Sequence, residues 1–310
     1  MKPPHSFVAR MKRSGIRGTH PGFRYTTSGL QDYALPYTDN MTRVATIQMV
    51  SGADLSSNLA AAATLINEAA AQGAELLVLP EYFPLISDND RDKFACKEQF
   101  GKGAIQDFLA SAASRHKLWL MGGSIPLDSG EPDRVFNSCL LYNPDGKVVA
   151  RYDKIHLFDV QVGTSGKEAY KESATIAPGS EVIVAETAFA RIGMSICYDL
   201  RFPELYRSML DQNITIITVP SAFTWTTGQR HWEILLRARA VENLCYIIAA
   251  NQGGQNTSRR TTWGHSMIID PWGDVLAKVE TGSGVVCADL DLDKLHSLRK
   301  SFPALQHRKL

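Results

Sequence analysis

Glu81 and Cys197 stand directly after the short strand-like runs Leu77-Val-Leu-Pro80 and Ile192-Gly-Met-Ser-Ile196, and Lys154 follows a strand-like run ending near Tyr152. A cysteine attacks as its thiolate, a neighbouring ammonium favours that form, and a carboxylate can take the thiol proton. The three types together suit cleavage of an amide through a thioester. Cys197 would attack the carbonyl carbon, Glu81 would act as base and then acid, and Lys154 would stabilise the tetrahedral oxyanion. Taken singly, each has a plainer reading: an inert core thiol, a solvated loop carboxylate, and a surface charge.

In α/β sheets ligands gather at the carboxyl ends of strands, where side chains project from a rigid frame into a crevice. The elements that must supply those ends are legible from Val44 onward. Val44–Val50 reads as a buried strand, Asn58–Ala71 as a helix stopped by Gly73, and Glu75–Pro80 as the next strand. The alternation predicts helices over Ala104–His116, Pro203–Asp211 and Arg230–Glu242. Strands are predicted over Leu118–Gly122, Ser138–Tyr142, Val148–Tyr152, Ile192–Ile196, Ile214–Val219, Tyr246–Ala250, Met267–Ile269, Val275–Lys278 and Val285–Ala288. Turns fall at Asn143-Pro-Asp-Gly146 and Asp270-Pro-Trp-Gly273. No repeat or linker divides residues 41–310, which read as one α/β domain.

Residues 1–40 differ in kind. They hold Lys2, Arg10, Lys12, Arg13, Arg17 and Arg24 against only Asp32 and Asp39, without apolar periodicity. They are expected to be a non-structural extension: a disordered tail, an organelle presequence, or the product of an upstream start, with Met41 the alternative first residue.

The 310 residues are 44% hydrophobic and 21% charged with a formal net charge of +1, so no whole-molecule field recruits nucleic acid or an anionic membrane. No apolar run approaches the roughly 18–20 residues needed to span a bilayer. Five cysteines with no C-x-x-C pair fit a reducing compartment, so a cytoplasmic location is expected. The chain has no G-x-S-x-G, G-x-G-x-x-G, G-x-x-x-x-G-K-[ST] or H-E-x-x-H, and His156, His231 and His265 lack ligand spacing; no metal or cofactor is expected.

Leu79-Pro80-Glu81, Tyr152-Asp-Lys154-Ile-His156-Leu-Phe158 and Gly193-Met-Ser-Ile-Cys197-Tyr-Asp199-Leu-Arg201-Phe-Pro-Glu204 resemble, in order and spacing, the Glu, Lys and Cys blocks of the nitrilase superfamily of carbon-nitrogen hydrolases. The resemblance continues through Pro220–Phe223, His231–Glu233, Arg237–Ala240, Gly264–Ser266 and Asp270–Gly273. It implies a four-layer αββα sandwich and a homodimer or higher homo-oligomer packed through helices near the Cys block. It also implies that Glu172, in Tyr170-Lys-Glu172-Ser, hydrogen-bonds Lys154. By the logic of strand-end elbows, the backbone N–H of Tyr198 is the second oxyanion donor.

Cys197-Tyr-Asp199 resembles the amidase branches, where true nitrilases tend to carry Cys-Trp-Glu, so a small-molecule amide is the expected substrate. Pro203 and Ser221 favour similarity to the deaminated glutathione amidase branch, whose members release 2-oxoglutarate and cysteinylglycine. The alternatives are an ω-amidase acting on 2-oxoglutaramate and a catalytically idle relative that binds metabolites or partners. Arg201, Phe223 and Arg230 are the candidate substrate binders, with a cation expected to meet the substrate carboxylate. For Arg201 a local ion pair with Glu204, three residues on, is the competing role.

Overall fold

The computed structural model describes residues 41–162 and 168–309. The expectation for residues 1–40 lies outside them. In chain order the strands are β1 (Met41–Gln48), β2 (Leu76–Val78), β3 (Trp119–Met121), β4 (Ile125–Asp128), β5 (Val135–Tyr142), β6 (Val148–Asp153), β7 (Asp159–Val162), β8 (Glu168–Lys171), β9 (Ile176–Ala177), β10 (Val184–Glu186), β11 (Arg191–Met194), β12 (Ile216–Thr218), β13 (Tyr246–Ala249), β14 (Met267–Ile269), β15 (Val275–Lys278) and β16 (Gly284–Asp291). The helices are α1 (Leu55–Ala71), α2 (Ala104–His116), α3 (Pro203–Met209), α4 (Trp225–Asn243) and α5 (Leu292–Ser301).

Two sheets form. One runs in the order β16-β1-β2-β3-β5-β4, with β6 and β9 also pairing β5; the other runs β10 through β15 in sequence. Strand alternation sorts side chains between two cores. Val44, Leu76, Val78 and Leu141 face the second sheet, while their neighbours Ala45, Leu77, Leu79 and Leu140 face outward. That outward face is covered by Ala62, Leu65, Ile66 and Ala69 of α1 and by Ile105, Leu109 and Ala113 of α2, all at helical spacing. Tyr206 and Met209 of α3 and Trp232, Leu236 and Ala240 of α4 cover the second sheet. The result is the expected αββα layering. Truncating one of these buried side chains, Leu109 for example, to Ala would cost about 2–5 kcal/mol.

Two helices begin earlier than the apolar pattern suggests, because polar caps start them. The Asp54 side chain accepts from Ser57 N ahead of α1, and Thr224 accepts from Thr227 N ahead of α4. The pattern missed β4, β7, β8, β9, β10 and α5. Pro126 inside β4 is tolerated because β4 is an edge strand. In α5 only Leu292 and Leu295 are buried, under an Asp291 cap.

One glycine decides geometry beside the strand ends. Gly123 has φ +61°, and a Cβ there would come 2.2 Å from Pro80 O. The close approach lets Ser124 Oγ accept the Tyr82 N–H at 3.0 Å, which fixes the turn that carries Glu81.

Candidate active site

Glu81 leaves β2 through Leu79-Pro80, Lys154 follows β6 directly, and Cys197 opens a short 3-10 turn (Cys197–Arg201) just past β11. The Glu81 and Lys154 side chains are 1% and 2% exposed. Lys154 Nζ donates to Glu81 Oε1 at 2.9 Å and to Glu172 Oε1 and Oε2 at 3.0 and 2.9 Å. Each carboxylate is also pinned from its far side. Asn137 Nδ2 and the Ala222 N–H, each at 2.9 Å, hold the two oxygens of Glu81. The Tyr82 hydroxyl at 2.5 Å and the Phe158 N–H at 2.7 Å hold Glu172. A buried ion cluster persists only when its remaining lone pairs are satisfied in this way.

Burial alone would push the Lys154 pKa down, but the Glu172 and Glu81 carboxylates override it and hold it raised. Burial would push Glu172 up; Lys154, then the Tyr82 hydroxyl and Phe158 N–H, bring it below the ordinary carboxylate value. At Cys197, burial and then the Glu81 charge raise the thiol well above its usual value, and Lys154 offsets them only in part. The ammonium acts in the expected direction, but burial and the Glu81 charge outweigh it, which favours the thiol form with a carboxylate beside it to receive the proton.

Cys197 adopts φ +49°, in the left-handed region, with its N–H donating to Pro220 O at 2.9 Å. Its turn is held by the fully buried Asp199, whose Oδ2 accepts the Ile196 N–H at 2.8 Å and the Tyr152 hydroxyl at 2.7 Å.

Glu81, Lys154, Glu172 and Cys197 line one cavity enclosing about 810 Å³, part of it open to solvent. Tyr198, Arg201 and Phe223 line it as well. The Tyr198 ring meets Phe158 and Phe202 edge-on at 5.0 and 5.3 Å. The Arg201 guanidinium lies 5.6 Å from the Tyr198 ring centre and 5.4 Å from that of Phe223, with Nη1 3.2 Å from His231 Nδ1. Among the described residues it makes no ion pair with Glu204, so the local-pair role is not the one observed. Arg230 does not join the site: it sits about one helical turn beyond Thr227 on α4, is exposed, and does not line the cavity. Lys93 and Arg260 line it instead. One belongs to a short 3-10 turn and the other to a loop, and no spacing rule singles them out. Asn137 was also missed, although a buried amide inside β5 is the kind of polar intruder that marks a site.

Residues 43–300 match the family model of carbon-nitrogen hydrolases. The chain is 42% identical over 267 residues to a deaminated glutathione amidase of Synechocystis sp., covering 85% of this chain and 97% of that one. It is 37% identical over 267 residues to the omega-amidase NIT2 of Homo sapiens, covering 86% and 95%. The crystal structure of Saccharomyces cerevisiae Nit3, a member of branch 10 of the nitrilase superfamily, matches with a TM-score of 0.77 at 30% identity, covering 87% of this chain and 97% of that one. With the fold, the buried Glu–Lys–Glu cluster and the matched residues in agreement, the chain belongs to the carbon-nitrogen hydrolase family, within the nitrilase superfamily.

Proposed function

We propose that Glu81, Lys154 and Cys197 are the catalytic triad of an amidase whose substrate is deaminated glutathione, cleaved to 2-oxoglutarate and cysteinylglycine. The observation that carries the triad is the Lys154 ammonium held between Glu81 and Glu172 in the cavity that Cys197 lines. Glu81 takes the Cys197 proton as sulfur bonds to the amide carbon. Lys154 Nζ and the Tyr198 N–H stabilise the oxyanion. Collapse breaks the carbon–nitrogen bond, and Glu81 returns its proton to the leaving nitrogen. Water then loses a proton to Glu81 as it attacks the thioester; collapse releases the acid, and the proton returns to sulfur. Glu172 orients Lys154 throughout.

The substrate reading is supported by the Synechocystis relative's name and by Arg201, Lys93 and Arg260 lining the cavity, cations that suit a dianionic amide. Similarity to the human omega-amidase supports a second reading, 2-oxoglutaramate, which shares the acyl half. Comparing kcat/KM for deaminated glutathione, 2-oxoglutaramate, an N-carbamoyl amino acid and a simple nitrile decides between them. Deaminated glutathione is expected to rank first; turnover of the nitrile alone would overturn the amidase chemistry.

We also infer a homo-oligomer, at least a dimer. Its support is the exposed apolar pair Ile234 and Val241 on α4, 67% and 47% exposed, on a helix that packs beside the Cys197 turn. A sedimentation mass equal to one chain at micromolar concentration would exclude it. None of the five cysteines is disulfide-bonded, which supports a reducing, cytoplasmic setting. No helix among the described residues is long and apolar enough to cross a membrane.

A further inference from the structure

Tyr82 follows Glu81 directly, adopts φ +54°, and donates its hydroxyl to Glu172. Two cations lie against its ring: Lys93 Nζ 5.8 Å and the Arg260 guanidinium carbon 5.7 Å from the centroid. They come from unrelated segments, the 3-10 turn Asp92–Cys96 and the loop between β13 and β14, and both line the cavity. The two segments are tied together. The Asp88 carboxylate accepts from the Thr257 hydroxyl and, at 2.8 Å, from that of Ser258. The placement of both cations is therefore built in rather than incidental to one mobile side chain.

Their hydrogen bonding is incomplete. Lys93 Nζ donates to Thr175 Oγ1 at 3.0 Å, and Arg260 Nε is buried without a partner. Burial pushes the Lys93 pKa down, only partly opposed by Asp90 and Glu172. Glu172 forms no hydrogen bond or ion pair with either cation; its oxygens serve Lys154, Tyr82 and Phe158. Two like charges on one ring, one with an unpaired buried N–H, are relieved by an anion entering the cavity.

The positions of the cations assign them to one half of the substrate. The acyl half stays bonded to Cys197 through the thioester, and Arg201 stands on the Cys197 turn, over Tyr198 and Phe223. The leaving nitrogen takes its proton from Glu81, the residue next to Tyr82. We propose that Lys93 and Arg260 form a carboxylate subsite for the leaving group, binding the C-terminal carboxylate of the released dipeptide, while Arg201 serves the acyl side.

This inference rests on the reading of deaminated glutathione as substrate, and two measurements separate the two. The first is the ratio of kcat/KM for deaminated glutathione to that for 2-oxoglutaramate, which share the acyl half and differ in the leaving group. Lys93→Gln and Arg260→Gln are each expected to lower that ratio about 10-fold or more, the worth of a charge-assisted hydrogen bond, with Arg260→Lys recovering part of it. A ratio equal to that of the wild-type enzyme, or a larger loss on 2-oxoglutaramate, would overturn the subsite. The second is calorimetric binding of cysteinylglycine alone. Its affinity is expected to fall by a similar factor in both Gln variants, and an unaltered affinity would overturn the subsite whichever amide the enzyme prefers. A wild-type ratio below one would instead overturn the substrate reading, leaving dipeptide binding to decide the subsite.

Discussion

His156 Nδ1 lies 2.8 Å from Asp199 Oδ1, and the same oxygen accepts the His156 backbone N–H at 3.0 Å. Lys154 stands two residues before this histidine and Cys197 two residues before this aspartate, so one carboxylate joins the turn bearing the ammonium to the turn bearing the thiol. The His156 ring also stacks on Phe202 with centroids 3.7 Å apart.

Removing that carboxylate should loosen both turns at once. Asp199→Ala leaves the Ile196 N–H, the Tyr152 hydroxyl and the His156 groups without their acceptor, and is expected to cost about 3–5 kcal/mol. His156→Ala, at a half-buried position, is expected to cost about 1 kcal/mol. Urea denaturation of both variants checks this; an Asp199→Ala loss below that of His156→Ala would contradict the junction.

Lys154→Met should lower kcat by about 10² to 10³ through loss of an oxyanion donor. It should also change how stability depends on pH. In the wild type, Glu172 has a folded pKa below its unfolded value, so its contribution is present above the ordinary carboxylate pKa and is lost as pH falls through the folded one. Without Lys154, burial raises that pKa. The variant then loses stability as pH rises from the ordinary value through the raised one. Melting curves between about pH 4 and 8 should show this reversal; parallel curves would mean that the ion cluster is not coupled to folding.

Cys197→Ala and Cys197→Gly should both abolish turnover, yet differ in stability. At φ +49° a side chain carries a left-handed penalty that glycine escapes, so the Gly variant is expected to equal or exceed the Ala variant by up to about 1 kcal/mol. An Ala variant that cleaves amide would remove the nucleophile assignment, and a markedly less stable Gly variant would contradict the strain.

Because its thiol pKa is raised by burial and Glu81, Cys197 should alkylate slowly near neutrality, with a rate that climbs with pH and shows no plateau below the ordinary thiol pKa of about 8.5. Iodoacetamide inactivation followed against pH, with and without substrate, tests this. A plateau near neutrality would mean that a preformed thiolate is the resting species.

We propose that residues 1–40 are dispensable, since β1 starts at Met41 and pairs from its first residue with Asp291. A chain beginning at Met41 should be active with unchanged KM. Aggregation of that chain, or inactivity of the folded protein, would show that the extension packs against the domain.

Much of this arrangement was legible in the sequence because strand-end chemistry is local. A short strand-like run followed by Glu81, Lys154 or Cys197 announces both the strand and the side chain projecting from its end. Glu172 needed the family resemblance, since it lies in a short polar turn, Glu172–Ala174, that by itself reads as loop. Lys93 and Arg260 were invisible for a different reason. Their meeting on Tyr82 depends on loops 167 residues apart in the chain, joined through Asp88, and no periodicity encodes that kind of approach. Arg230 was chosen from its charge alone, and helix geometry carried it out of the cavity. The lowering effect of Lys154 on the thiol was legible, but the burial that outweighs it was not, because sequence shows which charges are near but not how dry the site is.

β1 lies between β2 and β16, and all eight of its residues pair with β16, which arrives some 240 positions later in the chain. During synthesis the first described strand of the domain therefore leaves the ribosome with one long edge open, and keeps it open until the last described strand has been made. Nascent chains stalled before Gly284 would present that edge to one another, so premature termination late in the message should yield chaperone clients or aggregates rather than a shortened, working enzyme.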